Sequence, residues 1–370
     1  MRRRMNWWAA AYVLFIAGAS LALTVLLHFP HGPEHWSSDL RTAWLSQRPQ
    51  TQHPRIVLIY VNEATLEPYP YLSPTDRQLL ADLVRAVDAV GPKAIGFDFI
   101  IDRATEPAKD QALLEAVRTA RAPVVLGALD EPIQASGAKS FQAQFLEKAN
   151  RDIGHLYLDE RHNMLVISDN VVRLMANRTP GQPYQKSFAE VLTSKEGRHA
   201  EPRSRYISWL LSPKDNTETF LALTAEIVLG RTAARLPVPE LLRDKIVLIG
   251  GNFGDRDQHL TPLSVMSDKR FPGLFVHAQI LAQLLDNRWL VTLPWPLQLL
   301  VMVLGATLGY WIGRLVGHNY LIIELVSVGA LILVGIVAFA YASLIFPYTG
   351  VLLAWLAGIA GGRYSKRVYP

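Results

Sequence analysis

Residues 55–101, RIVLIYVNEATLEPYPYLSPTDRQLLADLVRAVDAVGPKAIGFDFII, decide the fold. Arg55-Ile-Val-Leu-Ile-Tyr-Val61 is a short apolar run rich in β-branched residues, the composition of a strand buried on both faces. Asn62, Glu63 and the proline-rich stretch to Pro74 predict a loop. Ser73-Pro74-Thr75-Asp76 can open a helix, with Ser73 as its cap and Pro74 in the first turn. Leu79, Leu80, Leu83, Val84 and Val87 then recur at the spacing of one helical face, and Gly91-Pro92 ends it. Ala94-Ile-Gly-Phe-Asp-Phe-Ile-Ile101 is a second buried strand. Strand, helix, strand in this order predicts parallel pairing through a covering helix.

The pattern continues outward. Asp110 to Arg121 reads as a helix and Pro123 to Gly127 as a strand. Ile153 to Leu158, Met164 to Ile167 and Val171 to Met175 read as short strands joined by polar turns. Phe188 to Leu192 starts a helix, Tyr206 to Leu211 is a candidate strand, and Phe220 to Leu229 reads as a helix stopped by Gly230. Lys245 to Gly250 is the last strand. Pro272 to Asp286 is an amphipathic helix carrying Val276, Ile280, Leu281, Leu284 and Leu285. The expected fold class is α/β: a mostly parallel sheet with covering helices and an antiparallel insertion.

Apolar segments flank this region: Trp7 to Leu27 before it, and Trp295 to Val316, Tyr320 to Phe346 and Tyr348 to Gly361 after it. A helix needs about 20 apolar residues to cross a bilayer, and lipid forces the backbone to satisfy its own hydrogen bonds. Four transmembrane helices are therefore expected, one before the domain and three after. The expected divisions are 1–28 (cytoplasmic residues and first span), 29–294 (large domain), 295–362 (three spans) and 363–370 (cytoplasmic tail). Arg2, Arg3 and Arg4, then Arg314, then Arg363, Lys366 and Arg367 all fall on one side of such a topology. Basic residues near span ends mark the cytoplasmic face. Both termini are thus expected inside and the large domain outside the plasma membrane, on its periplasmic face. The alternative for the N-terminus is a cleaved signal peptide, with Arg2 to Arg4 as its basic region and Ala17-Gly-Ala19 as its small-residue cleavage site.

Cysteine is absent, which excludes disulfides and thiolate metal ligation. The net charge of +5 gathers beside the apolar segments and reports topology, so nucleic acid is not an expected partner. Membrane lipid is.

Five segments carry a family resemblance: Gly91-Pro-Lys-Ala-Ile-Gly-Phe-Asp-Phe-Ile-Ile-Asp102, Asp169-Asn-Val-Val-Arg173, Asp244-Lys-Ile-Val-Leu-Ile-Gly250, Asp257-Gln-His-Leu-Thr-Pro262 and Pro272-Gly-Leu-Phe-Val-His-Ala278. In this order, with one span before and three after, the chain resembles the CHASE type-2 domain over about residues 33 to 295. The resemblance implies an extracytoplasmic sensory domain of a bacterial inner-membrane signalling protein. Family members usually continue into a cytoplasmic nucleotide cyclase, histidine kinase or Ser/Thr kinase. Here about nine residues follow Gly361, and no G-x-x-x-x-G-K-[ST] motif occurs. The expectation is a form lacking the output domain, whose signal leaves through the helices or a separate protein partner. The resemblance names no ligand.

Ligands of parallel α/β sheets bind beyond the carboxyl ends of the strands. Asp98 and Asp102 flank the end of the second strand, Asp257, His259 and Thr261 follow the last one, and His277 lies on the next helix. These six are the candidate ligand-binding residues, for a small polar molecule or, as the alternative, a divalent cation. The bland reading makes Asp98 a loop-orienting group and His277 a satisfied core histidine. No metal site and no cofactor are expected. Thr261-Pro262 and Pro272-Gly273 are expected to shape the loop, and Gly250-Gly-Asn-Phe-Gly254 to make a tight turn, since its spacing is not that of a phosphate loop. His31, Glu34 and His35 are read as solvated polarity beside the membrane. G-x-S-x-G and H-E-x-x-H are absent, so catalysis is not expected.

Within the apolar segments Gly305, Gly309 and Gly313 recur every fourth residue, and Ala354, Gly358 and Gly362 repeat the device. Small residues at this spacing let helices approach closely, within the chain or between copies in a homo-oligomer. Glu324 lies inside the third segment, where an ionisable group points to function or pairs with Arg314 near the interface. The leading reading is a sensor whose domain binds a small molecule or protein. The alternatives are an assembly subunit of an envelope complex and an extracytoplasmic enzyme.

Overall fold

A computed structural model describes residues 2–25, 31–130, 139–159, 170–178, 180–198, 204–233, 236–254, 256–267, 269–315 and 320–368. The chain divides into two compact units, Ser46–Trp289 and Met1–Leu45 with Leu290–Pro370.

In the first unit β1 (Ile56–Val61), β2 (Ala94–Asp98), β3 (Val124–Ala128), β4 (Asp152–His155), β5 (Leu221–Thr224) and β6 (Ile246–Gly251) form one sheet. The order is β4-β3-β2-β6-β1-β5, and every neighbouring pair is parallel. Alternate side chains enter opposite cores. Val57, Ile59, Val61, Ile95, Phe97, Val124, Leu126, Val247 and Ile249 pack among apolar residues of the helices Arg77–Val90, Pro107–Thr119 and Phe141–Ala149. Ile56, Leu58, Ala94, Val125, Ile246 and Leu248 pack on the other face with residues of Phe188–Ser194 and Gly273–Asp286. Burial on both faces is why these strands read as unbroken apolar runs. Gly96 is required by the second core: a Cβ there would stand 2.6 Å from Leu248 Cδ2 and 2.8 Å from Phe188 Cζ.

Several expectations are corrected in detail. The helix after the proline-rich loop is capped by Asp76, whose carboxylate accepts from Gln78 N at 2.9 Å and Leu79 N at 3.0 Å, and not by Ser73. It ends at Gly91 with φ 77, as Gly91-Pro92 indicated. Phe220 to Leu229 is not a helix. Leu221–Thr224 is strand β5, paired with the edge of β1, and only Ala225–Val228 is helical. Leu-Ala-Leu-Thr favours a helix by propensity, and the open edge of β1 overrides it. Tyr206 to Leu211 is no regular strand either. It makes only isolated bridges, Leu174 with Tyr206 and Gln47 with Leu210, and several of its backbone polar groups bond to two helix side chains. Gln279 accepts from Leu210 N at 2.8 Å and donates to Leu210 O at 3.0 Å, while Gln283 accepts from Ser208 N at 2.7 Å and donates to Tyr206 O at 3.1 Å. The antiparallel insertion reduces to Leu158–Asp159 paired with Leu174–Met175, because Asp152–His155 joins the main sheet in parallel. Met164 to Ile167 and Asp169 lie outside the described residues.

The second unit contains the helices Arg2–Val25, His31–Leu45, Trp295–Leu315, Tyr320–Ala342 and Tyr348–Val368. Among the described residues three stretches are long and apolar enough to cross a membrane: Trp7–Thr24, Trp295–Leu315 and Ile322–Ala342. The fourth expected apolar span is corrected. Tyr348–Val368 is a helix of 21 residues, but four glycines and Arg363, Lys366 and Arg367 dilute its apolar content. Its Gly350, Val351, Ala354, Trp355, Gly358, Ile359 and Gly362 are buried instead.

That burial is against Trp295–Leu315, to which the last helix runs parallel. Built Cβ atoms on Gly309 and Gly313 would each stand 2.2 Å from a carbonyl, of Trp355 and Ile359. Gly358 and Gly362 meet Ala306 O and Tyr310 O in the same way. The glycine series therefore joins two helices of one chain. Tyr12 Oη donates to Ala357 O at 2.8 Å, and a Cβ on Gly350 would stand 2.6 Å from Thr24 Oγ1, so the first helix runs antiparallel to the last. Glu324 pairs with Arg363, while Arg314 donates to Ser365 Oγ at 2.8 Å.

Candidate functional site

The polar residues of the α/β unit collect where β2, β4 and β6 end. Asp98 closes β2, in register with Gly250 of β6. Gly250 is needed there, because a Cβ would stand 2.9 Å from Leu274 Cδ1 and 3.2 Å from Asp98 Cβ. The chain then turns through Gly254, whose N–H donates to Glu63 Oε1 at 2.7 Å. That carboxylate takes the amide a phosphate loop would offer to an anion, in keeping with the tight-turn reading.

The turn delivers Asp257, held at φ 53. A left-handed conformation is tolerated by Asp better than by most residues. Asp257 Oδ1 lies 2.9 Å from His259 Nε2. Gln258–His259 pairs antiparallel with Phe271–Pro272, which leads into the helix Gly273–Asp286. Asp257 O accepts from Gly273 N at 3.0 Å. One turn on, His277 is buried, its ring edge-on to Phe188 at 5.6 Å between centroids.

The electrostatics tie these groups together. Burial first, then the neighbouring Asp257 charge, pushes the Asp98 carboxyl well above the usual range, while His259 opposes the shift. Burial lowers His277 to about 4; Asp257 pulls it up, and His155 and His259 push it down. Asp98, Asp257, His259 and His277 are thus one cluster, as their sequence positions implied. Asp102 belongs elsewhere. It is paired with Arg103 at 2.8 Å, and that hydrogen bond lowers its pKa. Thr261 is buried and accepts no ligand-facing role from its contacts: its N–H donates to Ser264 Oγ at 3.0 Å, starting the turn Pro262–Ser264.

Sequence reading missed His155, Asp130 and Arg178. His155 ends β4 and is buried, with no hydrogen-bond partner for Nδ1 among the described residues. Burial, then Arg178, lowers it to about 4. Arg178 pairs with Asp130 at 2.6 Å and lies over the Tyr157 ring at 4.8 Å. The sequence offered no signal for His155, because the strand expected over Ile153 to Leu158 places it in the interior, whereas the observed strand ends there. Beside the cluster is a cavity of about 240 Å³ whose lining includes Tyr60, Glu218, Asn252, Gln258, Lys269 and Phe271. Burial raises the Tyr60 hydroxyl, and Glu218 and Asp98 add to the shift. Among the described residues no three His, Cys, Asp or Glu side chains are grouped to hold a metal ion.

The chain thus combines a parallel α/β unit, polar groups gathered at its strand ends, with three helices long and apolar enough to cross a membrane. The chain matches the CHASE2 domain over residues 12–311 and belongs to that family of extracytoplasmic sensory domains. No curated protein and no solved structure matches it.

Proposed function

We propose that the chain is a bacterial inner-membrane sensor whose α/β domain binds a small polar molecule at the ends of β2 and β6 and passes the signal through its helices to a separate protein. The observation that carries this reading is the cluster of Asp98, Asp257, His259 and His277 at the strand ends, where Asp257 Oδ1 lies 2.9 Å from His259 Nε2 and burial raises the Asp98 carboxyl and lowers the His277 imidazole. Titratable groups perturbed by burial and by one another mark a candidate site, and a low local dielectric strengthens any hydrogen bond a polar ligand makes there. The role is binding and not catalysis, in keeping with the missing hydrolase motifs. A ligand shifts the signalling equilibrium by its differential affinity for two states.

The domain faces the periplasm and both termini face the cytoplasm. Support comes from the basic residues Arg2 to Arg4, Arg314 and Arg363 to Arg367, and from the antiparallel and parallel runs of the first and last helices beside Trp295–Leu315. On this reading Tyr348–Val368 crosses the bilayer shielded by its neighbours, without the apolar surface of a lone span.

Thermal unfolding of the detergent-solubilised full chain, with a panel of amino acids, sugars and dicarboxylates, tests the binding role. A compound that raises the Tm of the parent and leaves Asp98→Asn unmoved is expected. A panel without effect, together with a stoichiometric complex recovered from native membranes, overturns sensing in favour of an assembly subunit. Protease added to spheroplasts should degrade the domain; survival until lysis overturns the topology.

A further inference from the structure

The cavity of about 240 Å³ beside the Asp98 cluster has an apolar back and a charged mouth. Its floor is the face of β1 and β5 that carries Leu58, Tyr60 and Ala222. Leu58 and Phe220 are each 1% exposed and Phe275 is 7% exposed, so the back is closed by apolar groups. Phe275 stacks on Phe271 at 4.8 Å between centroids and meets Phe220 edge-on at 5.7 Å. Glu218, ahead of β5, and Lys269 and Arg270, ahead of Phe271–Pro272, line the cavity and are exposed. Among the described residues none of these three forms an ion pair. Lys269 Nζ lies over the Phe271 ring at 5.1 Å, and Arg270 Nη1 donates to Gln258 O at 3.4 Å. The Tyr60 hydroxyl senses the Glu218 charge and makes no hydrogen bond among the described residues. Gln258 lies between Asp257 and His259 in the chain, so cavity and cluster share one loop.

We propose that this cavity is the ligand pocket of the sensor and takes a small zwitterion of the amino-acid class. Its apolar side chain lies against Phe220 and Phe275, its ammonium faces Glu218 and the Tyr60 hydroxyl, and its carboxylate faces Lys269 and Arg270. Volume and charge select this class. Pockets for drug-sized ligands span about 300–1,000 Å³, so a cavity below that range admits a metabolite of amino-acid size and no long chain. A dicarboxylate brings like charge to Glu218, and like charges in contact count against a ligand. A neutral sugar leaves all three charges without a counter-charge and the apolar back unfilled. A molecule with both charges and an apolar part meets every group in the lining. The inference rests on the binding role proposed above and names the ligand class for it.

Isothermal titration of the detergent-solubilised full chain with each of the twenty protein amino acids tests it. At least one with an apolar or aromatic side chain is expected to bind. Its amide and its N-acetyl derivative should each bind about tenfold more weakly, because each lacks one charge. Glu218→Gln should weaken the amino acid about tenfold and leave the N-acetyl derivative unaffected, since that derivative has no ammonium to lose. Lys269→Gln with Arg270→Gln should do the same for the carboxylate, leaving the amide unaffected. Ala222→Phe, at an exposed position on the cavity floor, should abolish binding at parental Tm. No binding by any amino acid, full binding by the amide or N-acetyl derivative, or unaltered affinity in Ala222→Phe overturns the proposal. Its failure is distinguishable from that of the binding role. A sugar or dicarboxylate that raises the parental Tm while no amino acid binds sinks the zwitterion pocket alone. A whole panel without effect, together with a stoichiometric complex from native membranes, sinks the binding role as well.

Discussion

Asp257 lies directly over Gly273: a Cβ on Gly273 would stand 2.6 Å from Asp257 Oδ1. The loop after β6 is thereby fastened to the first turn of Gly273–Asp286, where a carboxylate also complements the helix dipole. On the proposed function, a ligand that meets Asp257 would act on the element that holds His277.

Gly273→Ala is expected to force Asp257 aside. Overpacking of this kind costs about 1–3 kcal/mol. A Tm drop of roughly 5 °C should accompany a loosened Asp257–His259 contact, read by NMR titration of His259. A variant with parental Tm and an unmoved His259 resonance would show that the carboxylate is free to step aside.

Acid should destabilise the domain through its buried imidazoles. His277 titrates at about 4 in the fold against 6.5 unfolded. A depressed value means that the unfolded chain takes the proton first, so His277's contribution is complete above pH 6.5 and is lost as pH falls toward 4. At pH 5 the loss is about 2 kcal/mol. The raised Asp98 carboxyl works in the opposite sense, its contribution fading as pH rises. Urea unfolding at pH 7 and pH 5 should therefore show a shallower pH slope for His277→Asn than for the parent. Parallel slopes would mean that His277 is already charged in the fold.

Much of this fold is legible in the sequence because β1, β2, β3, β6 and Arg77–Val90 carry periodicities set by burial on two faces or one. Phe220 to Leu229 is misread because its four residues of strand owe their conformation to the edge of β1, a partner far away in sequence. Tyr206 to Leu211 is misread for a similar reason: its partners are the glutamines of a distant helix, which no local pattern reveals. Asp98, Asp257, His259 and His277 are legible from the rule that ligands gather at strand ends. His155 escapes because β4 is short and edge-placed, and Asp130 and Arg178 because nothing local links them.

Those glutamines give a sharp test. Gln279 is fully buried, and its amide satisfies both the N–H and the carbonyl of Leu210. Gln279→Leu keeps the volume and strands two buried backbone groups, at a cost of about 3 kcal/mol. Gln283→Leu should cost less, since Ser208 and Tyr206 are nearer solvent. Chemical denaturation measures both, and a neutral Gln279→Leu would refute the role given to this ladder.

The glycine series answers whether close helix packing lies within the chain or between copies. Gly309 faces the Trp355 carbonyl of its own chain, so a side chain there drives the last helix off Trp295–Leu315. Gly309→Ile is expected to cost several kcal/mol of bundle stability, because neither backbone can yield without breaking helix hydrogen bonds. The folded fraction should keep the parental oligomer distribution in mass photometry, and its loss of stability should be partly restored by a smaller side chain in Gly309→Ala. A clean change of oligomeric state with unaltered helix stability would move the contact to a subunit interface, and the parallel pairing of Gly305, Gly309 and Gly313 with Val351, Trp355 and Ile359 would then have to form between two chains.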